Sequence, residues 1–375
     1  MTFLISVFKV LLNVIYLFFK LFKTRNQITL ISRQSNKISE DFELLSTELK
    51  KQLKDYRIVV LSKKMDNKIA YAFHMLVQMY HISRSKIVIL DSYCIVASNL
   101  KHKKNLKIIQ IWHALGLMKK AGYAILDMEE GRSSKTSYAL NMHKNYNYVF
   151  TTSEACRKAM SEVFGCDENI VYSVPLPRID LLKDKKYISD KRKKIFDAYP
   201  VLNSKKKNIL YAPTFRKDES LMEKEIEEFI KLFDFKKYNL IIKLHPLSNI
   251  VVDNDKVISA SKFRTVDMMM VSDVVIGDYS SVVYEAGILN KPQIFYSFDL
   301  DSYKGKRDFF IDYEKEVPGP ICKNAKEVID FLEKNDYTKY EKKFLISKYV
   351  DLEVKNYTKN MVEKIIDILK KGNIW

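Results

Sequence analysis

The sequence predicts an α/β protein made of two Rossmann-like domains facing a cleft, with a membrane-associated helix at the N-terminus. Three observations carry this prediction. From residue 27 onward, short apolar runs of strand length alternate with helical patterns. A proline-stiffened break, Val174-Pro175-Leu176-Pro177, divides that alternation into two halves. Ahead of both lies an intensely apolar stretch, residues 3–22. At 375 residues the chain exceeds one ordinary core and suits two domains. The division is 1–25 for the anchoring helix, 26–180 and 181–345 for the two domains, and 346–375 for a closing helix.

Composition narrows the function classes. An apolar share of 47%, with 23 Tyr and 21 Phe, indicates a globular chain. Net charge is +18, from 64 Lys and Arg against 46 Asp and Glu, which implies a polyanionic partner. Nucleic acid is the weakest such partner. The chain has no aromatic-basic RNP pattern and no paired Cys/His finger, and its basic residues are spread throughout. Anionic membrane lipid and a phosphorylated substrate remain. Cys94, Cys156, Cys166 and Cys322 occur singly, without CxxC, which argues against a zinc site or a disulfide framework and fits a reducing compartment. Oligomeric state is not encoded in any of these features.

Residues 3–22 (FLISVFKVLLNVIYLFFKLF) lack the preceding charge and the small-residue cleavage site of a signal peptide. Their length permits a spanning helix. Thr2, Ser6, Lys9, Asn13, Tyr16, Lys20 and Lys23 recur every three or four residues and so form one narrow polar stripe. Lys9 near mid-span is costly in hydrocarbon but comfortable if the stripe faces headgroups, which favours an in-plane anchor. A helix buried on the protein itself is the competing reading. Lys20, Lys23 and Arg25 put the rest of the chain on the cytoplasmic face of the membrane.

In the first domain, residues 28–32, 58–61, 87–90, 108–112 and 148–152 read as buried strands, with helical patterns such as 41–53 and 70–78 between them. No GxGxxG occurs. Ser32-Arg33-Gln34-Ser35-Asn36 falls at the C-terminal edge of the first strand, where such sheets place ligands, although a polar turn reads the same way. The fourth strand delivers Trp112-His113-Ala114-Leu115-Gly116 and then Lys119-Lys120, placing a histidine and two lysines where a phosphate could be met. Residues 127–137 (DMEEGRSSKTS) are polar and aperiodic, as expected of a loop or lid.

In the second domain, strands are expected at 208–211 and 239–244. The first is followed by Ala212-Pro213-Thr214-Phe215-Arg216, the second ends in Lys243-Leu244-His245-Pro246. A short helix follows at 263–270, and residues 274–295 (VVIGDYSSVVYEAGILNKPQIF) then organise the half. Val274-Val275-Ile276 is a buried strand that breaks at Gly277-Asp278. Ser280 and Ser281 precede a helical pattern over 282–289, and Lys291-Pro292 leads into the next strand. A strand feeding a Ser-capped helix is an anion site, because the first-turn N–H groups lack intrahelical partners and the hydroxyls add donors. An ordinary N-cap looks the same. Residues 327–333 and 354–371 read as helices, the latter closing the fold against the first domain.

Four segments, in order, resemble signatures of the CDP-glycerol glycerophosphotransferase family, the teichoic-acid primases and polymerases. Asp278-Tyr279-Ser280-Ser281 with Tyr284-Glu285-Ala286, Lys291-Pro292, Phe295-Tyr296 and Asp299 is one. Trp112-His113 with Lys119-Lys120 resembles the family's Trp-His-Gly-Thr-Pro-Leu-Lys-Lys, with Ala114 and Leu115 replacing Gly-Thr and Gly116 replacing Pro, closer to a Trp-His-Ala branch with primase-type members. Tyr211–Arg216 resembles Tyr-Ala-Pro-Thr-(Phe/Trp)-Arg, and Lys243-Leu244-His245-Pro246 is the fourth. Pro177-Arg178-Ile179-Asp180 and a tail carrying Asp299, Asp301, Tyr303, Arg307, Phe309 and Asp312 extend the likeness, with Asp308 where the family usually has Gly. Two Rossmann-like halves, an N-terminal histidine and a C-terminal phosphate-gripping helix describe the GT-B architecture, which the family shares.

The resemblance implies phosphoryl transfer. An acceptor hydroxyl attacks the β-phosphorus of CDP-glycerol, and CMP leaves. His113 is the implied general base, with the ordinary imidazole pKa near 6.5. His245 is the second catalytic group. Lys119, Lys120, Thr214, Arg216, Lys243, Asp278, Ser280, Ser281, Glu285 and Arg307 are the implied substrate-binding set. No cofactor and no metal quartet are expected, the cationic groups standing in for a metal, with a loosely held Mg²⁺ as the alternative. The acceptor is a lipid-linked saccharide or polyol phosphate. Competing readings are a CDP-ribitol-dependent transferase, a GT-B glycosyltransferase using Glu285 toward a nucleotide sugar, and a non-catalytic scaffold of a polymer-export complex.

Overall fold

The computed structural model describes residues 2–340 and 344–372. The chain divides into two compact units: Met1–Ala114, Ala121–Asp180 and Asp351–Trp375 form unit 1, while Leu115–Lys120 and Leu181–Val350 form unit 2. The sequence-based division differs in three places. Residues 115–120 leave the first domain for unit 2, the N-terminal helix is an integral part of unit 1, and residues 346–350 stay with unit 2 while 351–375 join unit 1.

Unit 1 is built on six parallel strands, β1 (Gln27–Ser32), β2 (Arg57–Ser62), β3 (Ile87–Leu90), β4 (Lys107–Gln110), β5 (Tyr148–Thr151) and β6 (Val171–Ser173), in the order β2-β1-β3-β4-β5-β6. Strands β1 and β3 are buried at every position, as the near-continuous apolar runs QITLIS and IVIL require of a sheet covered on both faces. The helices α1 (Thr2–Lys20), α2 (Glu40–Gln52) and α3 (Lys68–Arg84) belong to this unit. Helix α2 starts where the Ser39 side chain accepts from the Phe42 amide, and it buries Phe42, Leu45 and Leu49 at three- and four-residue spacing. The C-terminal helix Tyr357–Gly372 packs on α2. Its first amides, Tyr357 N and Thr358 N, each donate to the Asp180 carboxylate at 2.8 Å.

Helix α1 inverts part of the sequence reading. Its polar stripe faces protein, not headgroups. Lys9 Nζ donates to the Ala139 carbonyl at 3.0 Å and Asn13 Nδ2 to the Asn99 carbonyl at 3.0 Å, while Asn13 Oδ1 accepts from Lys101 N at 2.9 Å. The buried Tyr16 reaches His102 Nδ1 at 3.2 Å. Phe3, Leu4, Val7, Val10, Leu11, Val14, Leu17 and Phe18 are exposed instead. Periodicity identifies two faces of a helix but not which one docks. Here the desolvated polar groups of the 97–103 segment need partners, and the stripe supplies them.

Unit 2 carries β7 (Lys207–Tyr211), β8 (Tyr238–Ile242), β9 (Val257–Ser259), β10 (Val274–Gly277), β11 (Gln293–Tyr296) and β12 (Ile321–Cys322), all parallel, in the order β12-β11-β10-β7-β8-β9. Period-two alternation splits its core. Ile209, Tyr211, Leu240, Ile242, Val274 and Ile276 pack on one face with Phe229 and Tyr296. Leu210, Ile241 and Val275 pack on the other with Ile195, Met268 and Met269. Each fully buried side chain of this size contributes about 1.5–3 kcal/mol.

Strand order reverses between β1 and β3 in unit 1 and between β7 and β10 in unit 2. Parallel sheets place ligands at the C-terminal ends of strands flanking such a reversal. In each unit those ends carry the polar segments singled out in the sequence.

Candidate active site

In unit 1 the fourth strand ends earlier than expected, at Gln110, because Trp112 turns with φ +59°. A left-handed conformation costs a bulky residue roughly 1–3 kcal/mol. Gln110 Oε1 secures the turn by accepting from Trp112 N at 2.9 Å. His113 follows, its ring 4.1 Å from that of Trp112.

His113 Nδ1 lies 3.0 Å from the Asp91 backbone carbonyl. A carbonyl only accepts, so Nδ1 carries the proton and Nε2 is the bare nitrogen. The Gln34 side-chain amide stands 3.2 Å from the same Nδ1. Arg178 Nη2 donates to the His113 carbonyl at 3.2 Å. The same guanidinium and the Arg178 amide hold Asp41, in the first turn of α2, at 2.6 and 2.9 Å. Crowding by protein atoms, with a further push from the Arg178 charge, lowers the imidazole to about 4 against the opposing Asp91 contact. The residue still presents surface to solvent, and water there opposes the shift; the sense is unchanged, a neutral imidazole at pH 7. The shift is downward from the ordinary value expected from sequence. Beside it, burial raises the Asp91 carboxyl to about 6 against hydrogen bonds from Ser32 and Ser92.

All the other expected site residues lie in unit 2. Thr214 and Arg216 follow β7, Lys243 and His245 follow β8, and Asp278, Ser280 and Ser281 follow β10. The buried Asp278 ties two of these loops together, accepting from Thr214 N at 3.0 Å, Thr214 Oγ1 at 2.6 Å and Tyr279 N at 2.6 Å. Arg216, expected to offer its fork to a pyrophosphate, spends that fork on carboxylates: Nη1 meets Asp278, while Nε and Nη2 bind Asp299 at 3.1 and 2.9 Å. Thr214, Arg216 and Asp278 therefore brace the loops.

What remains for a ligand is a shorter set. Ser281 is the N-cap of the helix Val282–Ile288, yet its hydroxyl makes no capping bond. Ser280 Oγ accepts a long hydrogen bond from Val282 N, at 3.4 Å. That helix has seven residues, so donors rather than a long dipole carry any anion binding. Lys243 Nζ donates to the Ala260 carbonyl at 2.8 Å, beside a cavity of about 320 Å³ also lined by Ile250, Ser259 and Ser261. An ammonium has three donors, and burial lowers the Lys243 pKa. His245 is exposed, its ring 5.6 Å from Phe215. Its Nδ1 accepts from Leu247 N at 3.2 Å, which leaves the proton of the neutral ring on Nε2.

A second cluster joins Lys119, Lys120 and Arg307. Lys119 bridges Phe309, Phe310 N donates to the Met118 carbonyl at 2.8 Å, and Arg307 Nε donates to the Lys120 carbonyl at 2.9 Å. Lys120 Nζ pairs with Asp308 at 2.7 Å, and Asp308 stands at φ +70°. Gly116, at φ +57°, lies against the Tyr284 ring, where a Cβ would come within 2.4 Å. Glu285 is buried, 7% exposed, in the helix Val282–Ile288. Among the described residues no group of three or more His, Cys, Asp or Glu converges as a metal site.

Asp91, Asp41 and Arg178 escaped the sequence-based site. A carboxylate directly after the buried run Ile87–Leu90, at the same sheet edge as His113, is the signal that could have found Asp91.

The fold matches that of the wall teichoic acid polymerase TagF, with a TM-score of 0.76 at 20% identity over 100% of this chain and 99% of that one. In sequence, the chain is 33% identical over 325 residues to a teichoic acid poly(ribitol-phosphate) polymerase of Bacillus spizizenii, covering 83% of this chain but only 51% of that protein. It is 31% identical over 265 residues to a teichoic acid glycerol-phosphate primase of Bacillus subtilis, covering 68% of this chain and 67% of that protein. The chain thus spans about half the length of the first relative and two thirds of the second. The family model for CDP-glycerol:poly(glycerophosphate) glycerophosphotransferase matches residues 14–370. The chain belongs to the CDP-glycerol:poly(glycerophosphate) glycerophosphotransferase family.

Proposed function

We propose that this protein transfers glycerol phosphate from CDP-glycerol to a hydroxyl of a lipid-linked teichoic-acid-type acceptor at the cytoplasmic face of the membrane. In this reaction the acceptor oxygen forms a bond to the β-phosphorus. The bond from that phosphorus to the bridging oxygen breaks, and CMP leaves with the electron pair. The acceptor proton passes to His113 Nε2, the nitrogen left bare by the Asp91 contact. Charge spreads over the phosphoryl oxygens, so positioned donors do most of the work. In this reading Lys243, Ser280 and Ser281 serve as those donors, and His245 donates a hydrogen bond from Nε2 to the leaving oxygen. The braced residues Thr214, Arg216 and Asp278 act by holding the loops.

The observation that supports this reading is that those donors follow β8 and β10 at the C-terminal edge of the unit 2 sheet, with β10 flanking its strand-order reversal. A second reading, ribitol phosphate from CDP-ribitol, is favoured by the likeness to the poly(ribitol-phosphate) polymerase. Incubation with CDP-glycerol, CDP-ribitol or a nucleotide sugar, each with a lipid-linked acceptor, separates the readings by CMP release and product mass. A gain of one glycerol phosphate per transfer supports the first. A ribitol phosphate gain moves the protein to the second, a sugar gain makes it a glycosyltransferase, and no product with any donor leaves a scaffold.

A further inference from the structure

A cavity of about 1150 Å³ in unit 1 lies away from His113. It opens between α1, residues 98–108 and residues 141–147. Leu106 precedes β4 and Asn147 precedes β5, so the cavity sits at the N-terminal edge of the sheet, whereas His113 follows the C-terminal end of β4. The proposed chemistry makes no use of it.

Its lining is one-sided in charge. Lys9, Lys20, Lys101, Lys103, Lys104 and Lys144 all contribute, and among the described residues no Asp or Glu does. Two of these ammonium groups are held by backbone carbonyls, Lys9 by Ala139 and Lys103 by Phe22. Lys101, Lys104 and Lys144 are exposed. The surplus is felt locally. Burial together with the Lys20 charge lowers the Lys103 pKa, and burial with the same charge brings the neighbouring His102 to about 4. Clustered like charges without carboxylates are destabilising until an anion joins them.

The other wall is apolar. Val10, Val14 and Leu17 line the cavity and are themselves exposed. They belong to the outward face of α1, which continues through Phe3, Leu4, Val7, Leu11 and Phe18. Helix α3 packs beside α1 and adds Ile69, Phe73 and Val77, exposed at four-residue spacing. Exposed apolar side chains on two adjoining helices, beside a lysine-lined cavity, suit a membrane interface.

The geometry points to this cavity as a binding site for the headgroup of an anionic phospholipid, with the phosphate among Lys101, Lys104 and Lys144 and the first acyl carbons against Val10, Val14 and Leu17. A soluble anion would use the lysines alone and leave the apolar wall in water. A lipid satisfies both walls at once. The site would seat unit 1 on an anionic membrane through the edge of the sheet opposite His113. It depends on no assumption about donor or acceptor, so its test is independent of catalysis.

The test compares the full chain with Lys101→Gln/Lys104→Gln/Lys144→Gln and with a control of equal net charge, Lys193→Gln/Lys194→Gln/Lys205→Gln, whose lysines are exposed elsewhere. Each is sedimented with vesicles of phosphatidylglycerol in phosphatidylcholine, and with pure phosphatidylcholine. A lysine near an anionic surface is worth about fivefold in partitioning. The cavity variant is expected to partition at least tenfold more weakly into the anionic vesicles, with the control within about twofold of the parent and melting temperatures unchanged. Calorimetric titration with short-chain phosphatidylglycerol below its micelle concentration should show binding that the cavity variant loses. Inorganic phosphate and glycerol 3-phosphate should bind far more weakly. Equal losses in the cavity and control variants would reduce the effect to delocalised charge and overturn the site. So would equal binding to pure phosphatidylcholine, or inorganic phosphate binding as tightly as the lipid.

Discussion

Arg216 and Asp299 meet fork to carboxylate, with Nε 3.1 Å from Oδ2 and Nη2 2.9 Å from Oδ1. Asp278 occupies the remaining nitrogen, and the Arg216 side chain is only 10% exposed. Tyr279 lies under the guanidinium at 5.1 Å and donates its hydroxyl to Asp299 at 2.9 Å. Removing one partner of a buried pair strands the other charge, at a cost of about 3–5 kcal/mol. Arg216→Ala should therefore lose stability of that order in urea unfolding. Arg216→Lys should recover little, because an ammonium cannot serve two carboxylates in a plane. An Arg216→Ala protein with parental stability but a raised donor KM would return Arg216 to direct donor binding.

The serine pair should behave in the opposite way. Since Ser281 makes no capping bond, Ser280→Ala with Ser281→Ala should leave the melting temperature nearly unchanged. Hydrogen bonds to a charged oxygen are worth roughly 1.5–3 kcal/mol each. The donor KM should rise accordingly, with a smaller change in kcat. Earlier melting with unchanged donor affinity would make the pair a plain helix start.

Acid should unfold unit 1 before it harms unit 2. Burial lowers His102 to about 4 and His143 to about 3, and His113 is shifted in the same sense. Between those values and 6.5 the unfolded chain binds more protons than the folded one, so stability falls as pH falls. Each pKa unit corresponds to about 1.4 kcal/mol, so a buried residue such as His143 contributes up to a few kcal/mol. Asp91, raised to about 6, works the other way, losing stability as pH rises from its ordinary value toward 6. His102 and His143 together outweigh the one carboxylate. Hydrogen exchange at pH 7 and pH 4.5 should show amides of β3–β5 losing protection first, and uniform loss across both units would contradict this.

Helix α1 is tied to unit 1 by Lys9, Asn13 and Tyr16, so deleting residues 1–23 should lower stability as well as membrane attachment. Serine at Leu4, Val7, Leu11 and Phe18, all exposed, should separate the two effects. Partition into the membrane fraction should drop while the melting temperature holds. A melting temperature that falls with partition would mean this face is packed in the working protein.

Much of this was legible in sequence because it is local. The buried runs at β1, β3, β7, β8 and β10 and the polar segments at their ends needed only periodicity and strand-edge logic. Strands β6, β9 and β12 span two or three residues and leave too short a pattern to read. What escaped depends on partners remote in the chain. Arg178 and Asp41 are 137 residues apart, and nothing near Arg216 announces that Asp278 and Asp299 will fill its fork. The docked face of α1 escaped for the same reason, since its hydrogen-bond partners Asn99, Lys101, His102 and Ala139 are remote in the chain.

The central role in the proposed chemistry falls to His113. Its Nδ1 contact with the Asp91 carbonyl leaves Nε2 to take the acceptor proton, and its lowered pKa keeps that nitrogen bare across neutral pH. The acidic limb of the kcat/KM profile should thus lie below the ordinary imidazole value of about 6.5, with activity falling as pH drops through it. The direct measurement is kcat, donor Kd and melting temperature for His113→Ala on one preparation. General-base removal predicts a fall in kcat of about 10²–10⁴-fold, with CDP-glycerol affinity and melting temperature near parental. A His113→Ala protein that turns over at the parental kcat would contradict the assignment.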